Sequence, residues 1–319
     1  MAGMEKNQNP NSDNSNEFIN LTEIFAVLWN SKVLIISATA IFSMLAIVFS
    51  LSLPNIYKSE SILSPVAESS DMDSAMRRYS GLANIVGIDI PTQSNAGNAI
   101  KALKKLDTLS FFSNNILPNI FLPDLMAIEL WESSSNELIY DNDIYDNEKQ
   151  TWVRDFKYPQ TQVPSAQESY KVFIKDHLEV YEDKDSGFVS IAIKHQSPYI
   201  AKQWVQLIVN ELNNFYRIKD KTEAQAAREF LTNKIAETSI AEIKQAIAML
   251  IQQKTQQLSV IEVNKFYVYE YIDPPEVMER KHEPSRAIIC ILGTLLGATL
   301  GVLIVFIRFY ILEGRETEN

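Results

Sequence analysis

The sequence predicts an α+β protein in which two membrane-spanning helices flank one water-soluble domain. Three observations support this: an uncharged apolar run near each end of the chain, alternating strand patterns close to both runs, and a long segment without Gly or Pro between them. We expect the soluble domain, residues 54–286, to combine a membrane-proximal mixed sheet with a long helical hairpin.

The two apolar runs, Val33–Leu53 and Ala287–Ile307, are each 21 residues long. As α-helices each would rise about 31 Å, close to the hydrocarbon thickness of a bilayer. A soluble helix seldom needs to be apolar on every face, so we interpret both runs as transmembrane helices. A polar segment, residues 1–32, precedes the first run, which favours a signal-anchor over a cleaved signal peptide. Residues 308–319 would lie on the same side as 1–32, because two spans return the chain to that side; the nearby Lys and Arg do not fix which side it is.

Four segments between the runs have the alternation typical of strands. They are 57–66, 178–182, 188–195 and 266–273. Because the first and last of them lie close in sequence to the apolar runs, we expect these strands to form one sheet near the membrane.

Residues 199–273 contain neither Gly nor Pro, and their apolar residues recur at helical spacing. One unbroken helix would be about 110 Å long. We instead predict a hairpin over about 199–263, whose second helix begins at the capping box Ser239-x-x-Glu242. A second capping box, Ser165 with Glu168, predicts a short helix, whereas 129–164 is expected to be irregular.

Two further segments are candidates for roles in packing and positioning rather than in catalysis. Gly293, Gly297 and Gly301 form a doubled GxxxG in the second run, a groove that another helix can approach closely. We interpret this face as a transmembrane packing surface; the alternative is that glycine is simply common in membrane helices. The segment 272–286 contains Pro274, Pro275 and Pro284 and ends at Arg286. Proline fixes φ, so this segment should be stiff and hold the domain at a set height over the bilayer, unless it is an ordinary linker.

Composition and motifs give little support for catalysis. The chain has 29 Lys and Arg against 40 Asp and Glu, a net charge of −11, which argues against a nucleic-acid surface. Cys290 is the only cysteine and lies inside the second run, so no disulfide framework is expected. There is no P-loop, GxSxG or HExxH motif. We therefore expect no catalytic residues, no cofactor and no metal site.

The weaker candidates for chemistry have ordinary interpretations. Asp141-Asn-Asp143 resembles the DxD motif of metal-using glycosyltransferases, but it lies in an acidic stretch typical of a solvated loop. His177, His195 and His282 are far apart and lack ligand spacing, so we interpret them as structural or surface residues.

The order of these features resembles the bacterial chain-length determinants, or polysaccharide co-polymerases, of Wzz type. The resemblance rests first on the block Leu21–Val66, with its Leu53-Pro54-x-x-Tyr57 step, and then on PPEVMERKHEPSR followed by the Gly-bearing run. The island Ser80–Gly87, SGLANIVG, is similar to the family's GLA-containing loop. Ala287 departs from the PSRP that many members have at this point.

The resemblance implies that both termini are cytoplasmic in a bacterial inner membrane and that residues 54–286 are periplasmic. It implies a homo-oligomeric ring that controls how many repeat units a separate membrane-embedded polymerase adds to a lipid-linked glycan, typically lipopolysaccharide O-antigen. In such a ring we expect the long helices and the face formed by Gly293, Gly297 and Gly301 to lie at or near contacts between protomers. Some relatives carry a kinase domain after the second span. The segment after Ile307 has no P-loop, so we expect no kinase domain here.

Two alternatives stay open. One is an exopolysaccharide or capsule export component that works with a separately encoded tyrosine kinase; it is distinguished by which polysaccharide changes when the chain is deleted. The other is a membrane-bound glycan enzyme that uses the carboxylates of the acidic loop; it requires that replacing Asp141 or Asp143 abolishes activity.

Overall fold

A computed structural model describes residues 21–66 and 95–316 of the chain. The α-helices within those ranges are α1 (Leu21–Asn30), α2 (Lys32–Ser52), α3 (Asn95–Leu106), α4 (Leu109–Phe111), α5 (Leu122–Met126), α6 (Ala166–Val172), α7 (Pro198–Glu237), α8 (Ala241–Val263) and α9 (Arg286–Glu316). The strands are β1 (Tyr57–Pro65), β2 (Ile128–Glu132), β3 (Glu137–Tyr140), β4 (Tyr145–Asp146), β5 (Thr151–Trp152), β6 (Leu178–Glu182), β7 (Val189–His195) and β8 (Tyr269–Asp273). The island Ser80–Gly87 lies outside the described residues.

The chain divides into two compact units, Met1–Leu53 with Pro284–Asn319, and Pro54–Glu283. The first unit contains the apolar helices α2 and α9, which pack on each other, together with α1. The second contains the strands and the remaining helices. The prediction of an α+β protein with two apolar helices, one towards each end, is confirmed.

The main sheet has four strands in the order β6-β7-β1-β8, and they are the four that the alternation predicted. Each neighbouring pair is antiparallel, so the prediction of a mixed sheet is wrong. The reason is topological: β1 lies between β7 and β8 and runs opposite to both, while β6 and β7 form a hairpin. Whether the sheet is near the membrane stays a prediction.

The core of the second unit forms where the first half of α7 packs on β1 and β7. Apolar residues at helical spacing on α7 face the sheet and are buried; they include Trp204, Val205, Ile208 and Leu212. This is the face that the three- and four-residue periodicity indicated. Residues 129–164 differ from expectation, since they contain two small two-stranded sheets, β2-β3 and β4-β5.

The helical hairpin consists of α7, 40 residues and about 60 Å long, and the shorter α8. The break between them falls at the predicted place, but the capping box there does not form. Ile240 is the N-cap of α8 and makes no side-chain cap hydrogen bond, so Ser239 lies one residue too early. The other predicted capping box, Ser165 with Glu168, is confirmed.

Candidate functional site

The glycines of α9 lie against α2 of the same chain. A Cβ placed on Gly293 would come within 2.3 Å of the Ala46 Cβ, and one on Gly297 within 2.7 Å of the Phe42 Cβ. One on Gly301 would be 3.1 Å from the Ile35 Cα. The two backbones can therefore approach this closely only because these positions lack a side chain. Within the chain, α2 occupies this face, and a role for it between protomers stays a prediction.

A polar contact accompanies this packing, because the hydroxyls of Thr294 and Ser43 lie 3.2 Å apart across the two helices. The faces of α2 and α9 that point away from this contact are uncovered, since large apolar side chains such as Ile36, Leu45 and Ile291 are more than half exposed. Both helices are long and apolar enough to cross a membrane, with mean hydropathies of 2.4 and 2.6. This is compatible with a two-span membrane protein.

The segment before α9 is fixed to the sheet rather than free. The Ser59 hydroxyl donates to the Glu276 carbonyl oxygen over 2.8 Å, and Lys202 pairs with the Glu276 carboxylate at 3.2 Å. The Ile56 N–H donates to the Glu283 carbonyl oxygen over 2.9 Å. Residues 276–283, which follow Pro274 and Pro275, thus move with β1. Pro284 and Arg286 belong to the other unit, where Arg286 begins α9.

A chain of ion pairs crosses the sheet beside this segment. Lys194 contacts Glu179 at 2.6 Å and Glu283 at 2.7 Å, and Lys58 contacts Glu179 at 3.0 Å. The hydrogen bond from Lys194 lowers the pKa of the Glu179 carboxyl, and the hydrogen bond to Glu179 raises the pKa of Lys194. These side chains are partly exposed, so each pair adds little stability alone; together they link β6, β7 and β1 to Glu283.

His177 and His195 come together, although they are 18 positions apart in the sequence. Their ring centroids are 5.7 Å apart, and both rings contact Trp204. The Ser197 N–H donates to Nδ1 of His195 over 2.9 Å, so Nε2 carries the proton and donates to the Asp124 carbonyl oxygen. Burial lowers the pKa of His195 to about 3 and also lowers the pKa of His177. Both imidazoles are therefore neutral at neutral pH.

The other candidates for chemistry occupy ordinary positions. The Asp143 N–H donates to the Asp141 carboxylate over 2.9 Å, so Asp141 stabilises the turn between β3 and β4. His282 is half exposed, and Cys290 lies on α9. Across residues 21–66 and 95–316, no group of three or more His, Cys, Asp or Glu residues has the arrangement of a metal site.

A cavity of about 260 Å³ lies beside His177 in the second unit, and a smaller one of about 60 Å³ is lined by Tyr57 and Trp131. Gln196, the first of the two residues between β7 and α7, lines both cavities. No sequence pattern indicated this site, because Trp131 and Gln196 are far apart in the chain and match no motif.

A buried asparagine is a second feature that sequence analysis missed. Asn213 Oδ1 accepts from the backbone N–H groups of Tyr267, Val268 and Tyr269 over 2.7–3.1 Å. Its Nδ2 donates to the carbonyl oxygens of Val209 and Tyr269, each over 3.0 Å. A polar residue within the apolar face of a predicted helix is the signal that would have found it.

The fold and these surfaces define the class of protein: an α+β domain joined to a pair of apolar helices that are long enough to cross a membrane. Residues 17–115, about a third of the chain, match the model of the family described as Wzz, chain length determinant protein. The resemblance to this family seen in the sequence is thereby confirmed.

Solved structures give a more distant likeness. A "full-length bacterial polysaccharide co-polymerase" aligns over 92% of this chain and 99% of its own, at 15% identity and a TM-score of 0.42. A "Fragment of WzzB, Polysaccharide Co-polymerase from Salmonella Typhimurium" aligns over 72% of this chain and 100% of its own, at 12% identity and a TM-score of 0.27. Neither score is high enough to define the fold. No curated protein sequence matches the chain.

Proposed function

We propose that this chain is an inner-membrane regulator of polysaccharide chain length that acts on lipopolysaccharide O-antigen together with a separate polymerase. The observation that carries the proposal is the family match over residues 17–115. That range includes the first apolar helix, the first strand of the main sheet and the first described helices of the domain, so it reaches from the membrane-spanning part into the folded domain.

The proposed topology places both termini in the cytoplasm and residues 54–286 in the periplasm. The exposed apolar faces of α2 and α9 support membrane insertion, because such surface is unfavourable in water. A reporter fused after Asn319 tests the orientation. A reporter that requires the cytoplasm should be active at this position. Activity of a periplasm-specific reporter at that position would contradict this topology.

In the proposed mechanism the chain forms a homo-oligomeric ring and binds no cofactor, and the polymerase makes the glycosidic bonds. The described side chains support a regulatory role in one respect, since the residues best suited to chemistry already have structural partners. Both nitrogens of His195 are hydrogen-bonded, and Asp141 accepts from the backbone of its own turn.

Deletion of the chain, followed by a gel of cell-surface glycans, tests the function. We expect polymer to be present, with a broad length distribution biased towards short chains. Complete loss of polymer would indicate an essential enzyme or export component, and an unchanged distribution would remove the proposal. As controls, Asp141→Ala, Asp143→Ala and His282→Ala should retain the wild-type distribution.

The helix pair provides a more specific test. Gly297→Leu should separate α9 from α2, because even a Cβ there would lie 2.7 Å from the Phe42 Cβ and 3.0 Å from the Thr39 Cα. We expect an altered modal glycan length and an altered particle size in detergent. Thr299→Leu places the same side chain at an exposed position of α9 and should change neither. Wild-type values for Gly297→Leu would show that close packing of this pair is not required.

A further inference from the structure

The two connections between the apolar helices and the second unit meet at one end of the main sheet. α2 ends at Ser52 and α9 begins at Arg286; in between, the Ile56 N–H donates to the Glu283 carbonyl oxygen over 2.9 Å. Asn55 follows Ser52 by three positions, so the length of the chain keeps its Cα within about 11 Å of the end of α2. In the proposed topology α2 spans the bilayer, whose headgroup layer adds about 5–8 Å on each side. In that topology this end of the sheet is close to the lipid surface.

The β2-β3 hairpin is attached to the same end of the sheet. The cavity of about 60 Å³ is lined by Asn55, Tyr57, Trp131 and Ser133, so the turn of the hairpin begins beside the residues that lead into β1. The Trp131 ring meets Tyr57 edge to face at a centroid distance of 5.4 Å. Its Nε1–H donates to Asn136 Oδ1 over 3.0 Å, which links the ring to the turn. Trp131 therefore fixes the hairpin to the start of β1.

The opposite face of this hairpin carries an exposed apolar pair. Leu130 and Ile139 are cross-strand partners, so their side chains project from one face, whereas Trp131 and Leu138 form the next pair. Leu130 is 44% exposed and Ile139 is 43% exposed. Tyr199, also exposed, lies 6.5 Å from the Trp131 ring, and Tyr and Trp are enriched at membrane interfaces. Such a combination is unfavourable in water and suits the boundary between water and lipid.

The other end of the main sheet has a different surface. Tyr57 pairs with His195 and Leu63 with Val189, so the turn between β6 and β7 lies about 20 Å from Tyr57 along β1. That turn contains three charged residues in a row, 183–185, whereas the hairpin turn, residues 133–136, contains none. The uncharged turn is thus at the end that the chain ties to the apolar helices, and the charged turn is at the end that extends away from them.

We propose that the β2-β3 hairpin contacts the surface of a zwitterionic lipid bilayer through Leu130, Ile139 and the turn 133–136. Glu129 and Glu137 are exposed on the same hairpin, which disfavours anionic headgroups and favours the ammonium groups of zwitterionic ones. Together with the two connections, this contact would restrict the tilt of the domain over the membrane. The inference rests on the proposed membrane topology, because the limit set by chain length applies to lipid only if α2 spans the bilayer.

The test is the accessibility of nitroxide spin labels on the full chain in phosphatidylcholine nanodiscs. Oxygen concentrates in lipid, whereas a neutral nickel chelate stays in water. The labels are attached at Ser133→Cys and, as the matched control, at Ser186→Cys in the exposed β6-β7 turn, both in a Cys290→Ala background. We expect a higher ratio of oxygen to nickel accessibility at position 133 than at 186. Equal ratios would overturn the inference, and so would low accessibility to both reagents at 133, which would indicate cover by protein such as a second copy.

A substitution on the apolar pair tests which side chains make the contact. Leu130→Glu should increase nickel accessibility at the label on 133, because a carboxylate is unfavourable in lipid. Val180→Glu, at an exposed apolar position of β6, is the matched control and should leave this accessibility unchanged. The milder Leu130→Ser should change it in the same direction and serves if the glutamate variant has a lower melting temperature. Wild-type accessibility in a folded Leu130 variant would overturn the inference.

A label within α9 separates this inference from the topology on which it rests. Ile291→Cys, at an exposed position of α9, should be accessible to oxygen and protected from the nickel chelate if the helix spans the bilayer. Nickel accessibility at 291 would contradict the topology and the hairpin contact together. A lipid-like value at 291 with a water-like value at 133 would overturn the hairpin contact alone.

Discussion

The base of the helical hairpin, around Asn213 and Asp220, and its tip, next to the turn between α7 and α8, belong to the same two helices but are stabilised differently. At the base, Asn213 makes five hydrogen bonds, four of them to residues 267–269, and the Tyr267 hydroxyl donates to Asp220 over 2.7 Å. At the tip, the buried contacts come from a separate small apolar cluster of Leu231, Ile247 and Leu250.

Position along the hairpin therefore determines both how specifically the helices are arranged and how stable that arrangement is. Hydrogen bonds are directional, so the base admits one arrangement of α7, α8 and the strand that follows. Apolar contacts are not directional, and the tip has few of them, while Phe230 and Ile240 are more than half exposed. We therefore expect the free energy of local opening to fall from the base to the tip.

The largest effect should come from Asn213→Ala, which leaves three backbone N–H groups and two carbonyl oxygens without this partner. Each buried unsatisfied group costs about 1–3 kcal/mol, and with partial relaxation we expect a total loss of about 3–5 kcal/mol in unfolding free energy. Chemical denaturation of the full chain in detergent, followed by tryptophan fluorescence, measures it.

Asn214→Ala is the control for this prediction, because Asn214 is the exposed neighbour on the same helix. Asn213→Asp keeps the three accepted hydrogen bonds and loses the two donated ones, so its stability should fall between wild type and Asn213→Ala. If Asn213→Ala is as stable as Asn214→Ala, the base is not held by this side chain.

At the tip, Ile247→Ala should have a smaller and local effect. Ile247 is 1% exposed, and removing a buried isoleucine side chain to Cβ typically costs at least about 2 kcal/mol. Because the cluster is separate from the main core, we expect faster amide hydrogen exchange near Leu231 and Leu250 and unchanged exchange in β1 and β7. Ile240→Ala, at an exposed site, is the control; a uniform rise in exchange throughout the second unit would contradict a separately opening tip.

Acidification should destabilise the region around the buried His195 and leave the tip of the hairpin unaffected. The pKa of His195 is about 3 in the folded protein and 6.5 in the reference state, so the unfolded chain binds more protons below pH 6.5. Stability is therefore complete above pH 6.5 and falls as the pH decreases; between pH 7 and pH 5 this histidine alone should remove about 2 kcal/mol. His177, whose pKa is also lowered by burial, acts in the same direction.

This pH window lies above the range in which ordinary carboxylates titrate, so it isolates the histidines. Unfolding free energies at pH 7, 6 and 5 provide the measurement. His195→Gln should flatten the dependence, whereas His282→Gln, at a half-exposed position, should not. Equal slopes in the wild type and His195→Gln would show that His195 is not kept neutral by the fold.

The smallest effect should come from Lys221→Ala, which removes the ion pair with Glu262 between the base and the tip. Both side chains are more than a third exposed, so we expect a loss below about 1 kcal/mol that decreases further in high salt. Lys219→Ala, which removes the exposed pair with Glu223, should behave similarly. A loss as large as that of Asn213→Ala would mean that the hairpin is held mainly by charge.

Much of this molecule follows from local sequence patterns. Alternation indicated the four strands of the main sheet, and helical spacing indicated the buried face of α7, because both periods follow from backbone geometry. The spacing of Gly293, Gly297 and Gly301 likewise indicated close helix packing, since small residues four apart face one way. These features need no information about residues distant in the sequence.

The segment that packs against each of these patterns is set by the tertiary structure. The tertiary structure made the sheet antiparallel by placing β1 between β7 and β8, and it placed α2 of the same chain against the glycines. It also brought Gln196 and Trp131 to the wall of one cavity and hydrogen-bonded Asn213 to residues 267–269, although these segments are far apart in the chain. A single sequence contains the periodicity of each segment but not its partner, because pairing depends on the three-dimensional path of the whole chain.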